Sequence, residues 1–104
     1  GSSAIRFADM QATRYSCGHF LTEHDDNVAG KNRVAAYVLN LTPGWRNDWG
    51  GALIFSDSDN AIGEVFFPKF NALNIFSVPQ KHAVSLVTPF ARANRYSITG
   101  WFRY

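Results

Sequence analysis

Apolar residues in this chain come in short stretches, many of them β-branched or aromatic, set apart by clusters of Gly, Pro, Asn and Asp. No window holds an apolar repeat at i, i+3, i+4 and i+7 for three helical turns, so nothing reads as an amphipathic helix. The pattern predicts an all-β chain with strands at Ile5–Ala12, Arg14–Cys17, Arg33–Leu39, Ala52–Phe55, Glu64–Phe67, Ala72–Phe76, Ala83–Val87 and Tyr96–Phe102. Strands recurring every 8 to 12 residues or so fit a sandwich or barrel. The breaks carry turn chemistry: Val28-Ala29-Gly30-Lys31-Asn32, Asn40-Leu41-Thr42-Pro43-Gly44 and Ser56-Asp57-Ser58-Asp59-Asn60. Residues 9–12 and 71–73 have the composition of a helical turn but are too short to anchor a helix.

A chain of 104 residues is one domain, with room for one core and no separate substrate domain. Aromatics make up 15% of it, which suits strands and argues against disorder. The formal charge of +2, with the two signs interspersed, lacks the basic footprint that nucleic acid requires. The single cysteine, Cys17, rules out an internal disulfide, and no apolar run reaches the roughly 20 residues needed to span a bilayer. The expectation is a reducing, cytoplasmic setting with neither nucleic acid nor membrane as partner. Gly1-Ser2-Ser3 reads as an expression scar, because no basic region with a following apolar stretch accompanies it.

Against this background two groups of residues carry chemistry. His24, Asp26 and, far along the chain, His82 have the order of a two-histidine, one-carboxylate iron site, in which three protein ligands hold one face of the metal. In a strand, residues i and i+2 share a face, so His24 and Asp26 can reach one ion while Asp25 points away. Downstream of His82 stands Arg95, and by the same parity Arg95, Ser97, Thr99 and Trp101 share one face of the last strand. A guanidinium offers a rigid donor fork that matches a carboxylate, which suggests an acidic co-substrate beside the metal.

The segment from Tyr15 to Trp101 resembles the prolyl 4-hydroxylase-like branch of the Fe(II)/2-oxoglutarate-dependent dioxygenases. The resemblance is carried by His24-Asp25-Asp26-Asn27, Arg33 leading to Val38-Leu39-Asn40, Trp49-Gly50-Gly51-Ala52-Leu53, Phe66-Phe67-Pro68-Lys69-Phe70-Asn71 and Leu73-Asn74-Ile75-Phe76. Lys81-His82-Ala83-Val84 and Arg95-Tyr96-Ser97-Ile98-Thr99-Gly100-Trp101 complete it in the family's order. It implies a double-stranded β-helix, or jelly roll, holding Fe(II) through His24, Asp26 and His82. It further implies 2-oxoglutarate as co-substrate with its far carboxylate on Arg95, helped by Tyr15; Ser97, on the face of Arg95, reads either as a further contact to that carboxylate or, the plainer reading, as a buried serine satisfying backbone groups. The implied reaction hydroxylates an unactivated C–H bond of a peptidyl or free amino acid, proline foremost, with ascorbate as auxiliary reductant. Where relatives have Tyr-Leu-Asn this chain has Val38-Leu39-Asn40, and its tyrosine stands one place earlier at Tyr37. A shift of one residue reverses the face, so the family role is not carried onto Tyr37. The family's Gly-Gly-Glu-Leu appears as Gly50-Gly51-Ala52-Leu53, a change expected at the surface, and the family's N-terminal helices are largely missing ahead of His24.

Plainer readings accompany these. Cys17 suits a small buried hydrophobe, His19 a solvated turn, the Asp57 and Asp59 pair a hairpin, and Trp45, Trp49 and Trp101 packing. Arg92 competes with Arg95 on distance from His82 alone. The rival function is a non-catalytic, truncated jelly-roll module for metal or ligand binding or for assembly. A shortened barrel exposes apolar sheet and strand edges, which favours a homodimer.

Overall fold

A computed structural model describes residues 5–57, 59 and 61–104, and in it the chain forms two four-stranded antiparallel sheets. The strands are β1 (Phe7–Tyr15), β2 (Leu21–His24), β3 (Arg33–Asn40), β4 (Leu53–Ser56), β5 (Ile62–Phe66), β6 (Leu73–Ser77), β7 (His82–Val84) and β8 (Arg95–Arg103). The larger sheet runs β1-β8-β3-β6 and the smaller β2-β7-β4-β5, so sequence neighbours repeatedly cross from one layer to the other, as in a jelly roll. The only helical element among the described residues is one 3₁₀ turn at Asn47–Trp49. Among the described residues no helix is long and apolar enough to cross a membrane.

The all-β expectation holds, with three local departures. The two predicted N-terminal strands are one, because Thr13 stays in register opposite Ser97 and the ladder runs unbroken from Phe7 to Tyr15. The strand β2 was absent from the expected set, since Leu21-Thr22-Glu23-His24 contains a single apolar residue. The strand β7 ends at Val84 rather than Val87, and beyond it single bonds take over, Ser85 N–H to the Ala52 carbonyl and Val87 N–H to that of His19. Residues 9–12 lie inside β1, and Asn71 leads into β6 from a left-handed conformation, so neither segment is a helical turn. Asp57 Oδ1 accepts from the N–H groups of Asp59 and Ala61, as a hairpin turn requires; positions 58 and 60 of that turn lie outside the described residues.

Register fixes what faces inward. Tyr15 opposes Arg95, Thr13 opposes Ser97 and Gln11 opposes Thr99 on the inner face of the larger sheet, with Trp101 beside Ala36 and Thr99 beside Val38. The opposite parity points outward and includes the exposed Met10, Tyr96, Leu73 and Ile75. Tyr37 falls on this outer side, as its displaced position requires, and its hydroxyl donates to the Asp9 carbonyl at 2.8 Å. That bond crosses over Gly100, where any Cβ would run into both the Asp9 carbonyl and the Tyr37 hydroxyl.

The interior is half polar. Ala36, Ala52, Leu53, Val84 and Val87 are buried, and so are Asn40, Thr42, His82, Arg95 and Ser97. Buried polar groups are costly unless satisfied, so an interior of this makeup is arranged around a site rather than around packing alone.

Candidate active site

The sheets enclose a cavity of about 110 Å³ whose lining includes Thr13, Tyr15, His24, Asp26, His82, Arg95, Thr99 and Trp101. Its apolar walls come from Leu21, Leu53 and Val84 on the smaller sheet and Val38 and Phe76 on the larger. Site residues far apart in sequence therefore meet in one space, with metal-type ligands at one end and a buried cation at the other.

At the first end, antiparallel pairing of β2 with β7 sets His24 directly opposite His82. The rings lie 4.1 Å apart between centroids. His24 Nδ1 contacts the Thr22 carbonyl at 2.8 Å and His82 Nδ1 the Gln80 carbonyl at 2.7 Å. Each histidine is thus tied through Nδ1 to the residue two places before it, which fixes the ring and leaves Nε2 facing the cavity. Fixing the tautomer through the far nitrogen is how metal-binding imidazoles are oriented. Asp26 completes the set: Oδ1 is 3.0 Å from His24 Nε2 and Oδ2 is 3.2 Å from His82 Nε2. One ligand atom from each residue lies within 4.8 Å of the others, close enough to hold a single ion.

Asp26 arrives there by a different route from the one strand parity suggests. The strand ends at His24, and Asp26 sits beyond it in the left-handed region at φ 64°. Asp25 caps the bend by accepting from Asn27 N–H at 2.9 Å, and Arg33 Nη1 holds the Asp26 carbonyl at 3.2 Å. Burial works to raise the Asp26 carboxyl, but hydrogen bonding and charge from His82, with Trp101 and His24, outweigh it and hold the group below its ordinary value. Burial likewise works against charge on His82, yet Asp26 and the Gln80 carbonyl prevail and raise it. His82 is further fixed by Phe76, packed edge-on at 4.7 Å, and Phe76 by Phe55 at 4.9 Å.

At the other end Arg95 is 3% exposed. Its Nε donates to the Gly51 carbonyl at 2.8 Å and its Nη1 to Ser97 Oγ at 3.4 Å, while the guanidinium carbon stands 5.2 Å from the Tyr15 ring centre. It forms no ion pair with a carboxylate of the described residues. Burial pushes Arg95 downward, offset in part by Tyr15, and pushes the Tyr15 phenol upward, offset in part by Arg95. A guanidinium has five N–H donors, and two are used here. A buried cation with donors to spare fits an anionic ligand.

Tyr15 and Arg95 border the cavity as expected. Ser97 lies one layer back, 2% exposed, with Oγ bonded to Thr13 Oγ1 and accepting from Arg95. Arg92 lines a separate hollow with Arg46 and Asp48, apart from the cavity that Arg95 borders. Cys17 is exposed rather than buried, its thiol directed at the Ala91 carbonyl. His19 is exposed in its turn and accepts from Ser16 N–H. Thr13 and Gln11 were not anticipated; the alternation of β1 opposite Arg95 and Ser97 is the signal that points to them. Trp101, anticipated as packing, lines the cavity.

Two antiparallel sheets around a two-histidine, one-carboxylate set and a buried arginine define a jelly-roll fold of the kind that hosts non-haem iron chemistry. Residues 10–103 match the 2OG-Fe(II) oxygenase superfamily, and the chain belongs to that family, in its prolyl hydroxylase-like branch. It is 36% identical over 101 residues to the mouse prolyl 3-hydroxylase OGFOD1, covering 90% of this chain and 18% of that protein. It is 31% identical over 111 residues to the Drosophila melanogaster prolyl 3-hydroxylase sudestada1, covering 94% and 20%. The chain thus spans about a fifth of the length of these relatives. Among solved structures it is similar to a Pseudomonas putida prolyl-4-hydroxylase, with TM-score 0.83 and 27% identity over 95% of this chain and 52% of that one. A Trichoplax adhaerens prolyl hydroxylase, solved with a hypoxia inducible factor oxygen degradation domain peptide fragment, gives 0.80 and 27% over 95% and 45%.

Proposed function

We propose that this chain is the core of an Fe(II)- and 2-oxoglutarate-dependent dioxygenase that hydroxylates an unactivated C–H bond on a prolyl or other amino-acid residue of a peptide. The observation that carries the reading is that the His24, Asp26 and His82 set and the acid-free Arg95 border one small cavity. His24, Asp26 and His82 would hold Fe(II), and the donor set suits it, since each imidazole has its far nitrogen bonded to a backbone carbonyl and its near one turned toward the Asp26 carboxylate, where an ion would lie between them. When bound, the metal and co-substrate would supply oxygen activation: 2-oxoglutarate and O₂ give succinate and CO₂, and one oxygen atom enters the C–H bond.

The protein's part is placement. Arg95 takes the far carboxylate of 2-oxoglutarate, with Tyr15 and Thr13 as neighbouring hydroxyl groups and Ser97 holding the guanidinium from behind. Leu21, Leu53, Val84 and Phe76 exclude water around the chain of the acid. The prolyl preference rests on the relatives; a role for ascorbate rests on the family resemblance alone and is tested by its effect on turnover number.

The test is to add Fe(II) and 2-oxoglutarate under argon, record the visible charge-transfer band of the chelate, then admit oxygen and measure succinate, with His82→Ala as control. A band and oxygen-dependent succinate, both lost in the variant, are the expected result. Their absence from folded protein would leave the non-catalytic assembly reading, which the exposed Met10, Leu73, Ile75 and Tyr96 of the outer face favour. In that case the mass should rise toward a dimer with concentration.

A further inference from the structure

The contact between Asp26 and the two histidines cannot survive metal binding unchanged, and that fact identifies a residue with a role in the site. Both carboxylate oxygens of Asp26 are occupied, one by each imidazole Nε2. A metal ion takes both Nε2 lone pairs and displaces any proton there, so neither ring can go on donating to Asp26. One carboxylate oxygen then ligates and the other is left inside the cavity in need of a donor. A buried carboxylate oxygen without one is destabilised, and ligating carboxylates are ordinarily hydrogen-bonded on their free side.

The cavity wall holds a donor suited to this. The Trp101 indole Nε1–H is buried and has no hydrogen-bond partner among the described residues. Trp101 and Asp26 line the same cavity. The same indole is held from its face by Arg33, whose guanidinium carbon lies 3.7 Å above the ring centre. Arg33 also donates through Nη1 to the Asp26 backbone carbonyl. A left-handed backbone at a non-glycine residue is strained and persists only where its surroundings insist on it. Arg33 therefore grips Asp26 through its backbone and aligns the ring that faces its side chain.

We infer that Trp101 and Arg33 form a brace for the carboxylate ligand, in which the Trp101 indole N–H becomes the hydrogen-bond donor to the non-ligating oxygen of Asp26 when a metal ion is bound. Trp101 is a positioning residue, acting through Asp26 and not on the substrate. The inference rests on the metal site proposed above.

The test uses Zn(II), which is diamagnetic and needs no turnover, with nuclear magnetic resonance of ¹⁵N-labelled protein. The Trp101 indole signal is assigned by its disappearance in Trp101→Phe. On adding Zn(II) the ring signals of His24 and His82 should shift, and the Trp101 indole proton should move downfield and exchange more slowly, with Trp45 and Trp49 as internal controls. Trp101→Phe, which keeps a ring beneath Arg33 but loses the N–H, should weaken Zn(II) binding about 10- to 100-fold. The melting temperature of the metal-free variant should stay close to that of the parent, since the lost N–H has no partner there. Arg33→Lys keeps the charge but loses the planar stack, and should weaken Zn(II) binding by less than Trp101→Phe. Histidine shifts with an unmoved Trp101 indole and full affinity in Trp101→Phe would overturn the brace alone. Histidine signals that do not respond to Zn(II) would overturn the metal site, and the brace with it.

Discussion

The two ends of the cavity are built on different terms. Arg95 starts β8 opposite Tyr15 and is bonded to the Gly51 carbonyl and to Ser97, groups that belong to the fold and stay in place whether or not a ligand arrives. The metal end is made from strand termini: His24 closes β2, His82 opens β7, and Asp26 lies in a bend beyond. The His24 side chain is 33% exposed against 6% for His82. Here each imidazole Nε2 meets Asp26, a contact that a bound metal ion would replace. On the proposed function, the acid-binding end would be preorganised by the sheets, whereas the metal end would reach its final arrangement only with the ion present. Such a difference suits a site in which a rigid cation fixes the co-substrate and a softer end admits the metal and the reaction.

The largest effects should come from breaking one end while the other is left intact. His82→Ala removes one of three ligands, and the loss of Fe(II) or Mn(II) affinity should exceed the 10- to 100-fold or so that an outer-shell partner costs, with succinate formation falling to background. Arg95→Met should do the reverse. Metal affinity should stay near that of the parent, measured by Mn(II) titration. The KM for 2-oxoglutarate should rise about 10- to 100-fold, since a hydrogen bond to a charged group is worth about 1.5–3 kcal/mol. Because a buried charge without a carboxylate partner is removed, the metal-free Arg95→Met protein should melt no lower than the parent. A parallel loss of metal binding would show that the two ends are not independent.

A finer break acts on the support of Arg95. Gly51 has φ 66°, and a Cβ added there would lie 2.9 Å from Arg95 Cδ. Gly51→Ala should therefore cost about 1–2 kcal/mol of stability from the left-handed backbone alone, read by denaturant unfolding. It should also displace the guanidinium and raise the 2-oxoglutarate KM, by less than Arg95→Met does. Mn(II) affinity should hold. The glycine kept in this chain's Gly50-Gly51-Ala52-Leu53 thus serves the cation end.

The same contrast explains how much could be read from sequence. Arg95 and its face of β8 follow from simple alternation, because a regular strand translates spacing into direction, and the structure keeps that parity from Arg95 to Trp101. His24, Asp26 and His82 do come together, but the parity argument reached Asp26 through a strand that stops at His24. A left-handed residue leaves no clear mark in a sequence when it is Asp rather than Gly. Thr13 and Ser97 are adjacent only through the β1 and β8 pairing, 84 residues apart in sequence, so no local pattern could announce them. Trp101 looked like packing because a tryptophan on a strand face usually is, and the fate of its N–H depends on neighbours from β3 and from the loop after β2. Cys17, expected inside, lies exposed in a turn. The residues of both ends were legible, whereas the bend that brings Asp26 to the irregular end was not.

The smallest expected effect sharpens the comparison most, because it asks whether the cation end needs more than its cation. Tyr15→Phe keeps the ring 5.2 Å from the guanidinium carbon and removes only the hydroxyl. Burial holds the Tyr15 phenol above its ordinary value of 10.0, so in the parent it remains a neutral donor throughout the neutral range. If that hydroxyl reaches the far carboxylate, the variant should raise the 2-oxoglutarate KM by about 0.5–1.5 kcal/mol, roughly two- to tenfold, with kcat unchanged. Its pH profile between pH 6 and 9 or so should match that of the parent, because the lost group does not titrate there. An unchanged KM would mean that Arg95 suffices, and Thr13, the other hydroxyl on that wall, would be the next group to remove. A change in kcat instead would place Tyr15 nearer the reacting centre than its pairing with Arg95 implies, and would make the division of the cavity into a rigid and an adaptable end too simple.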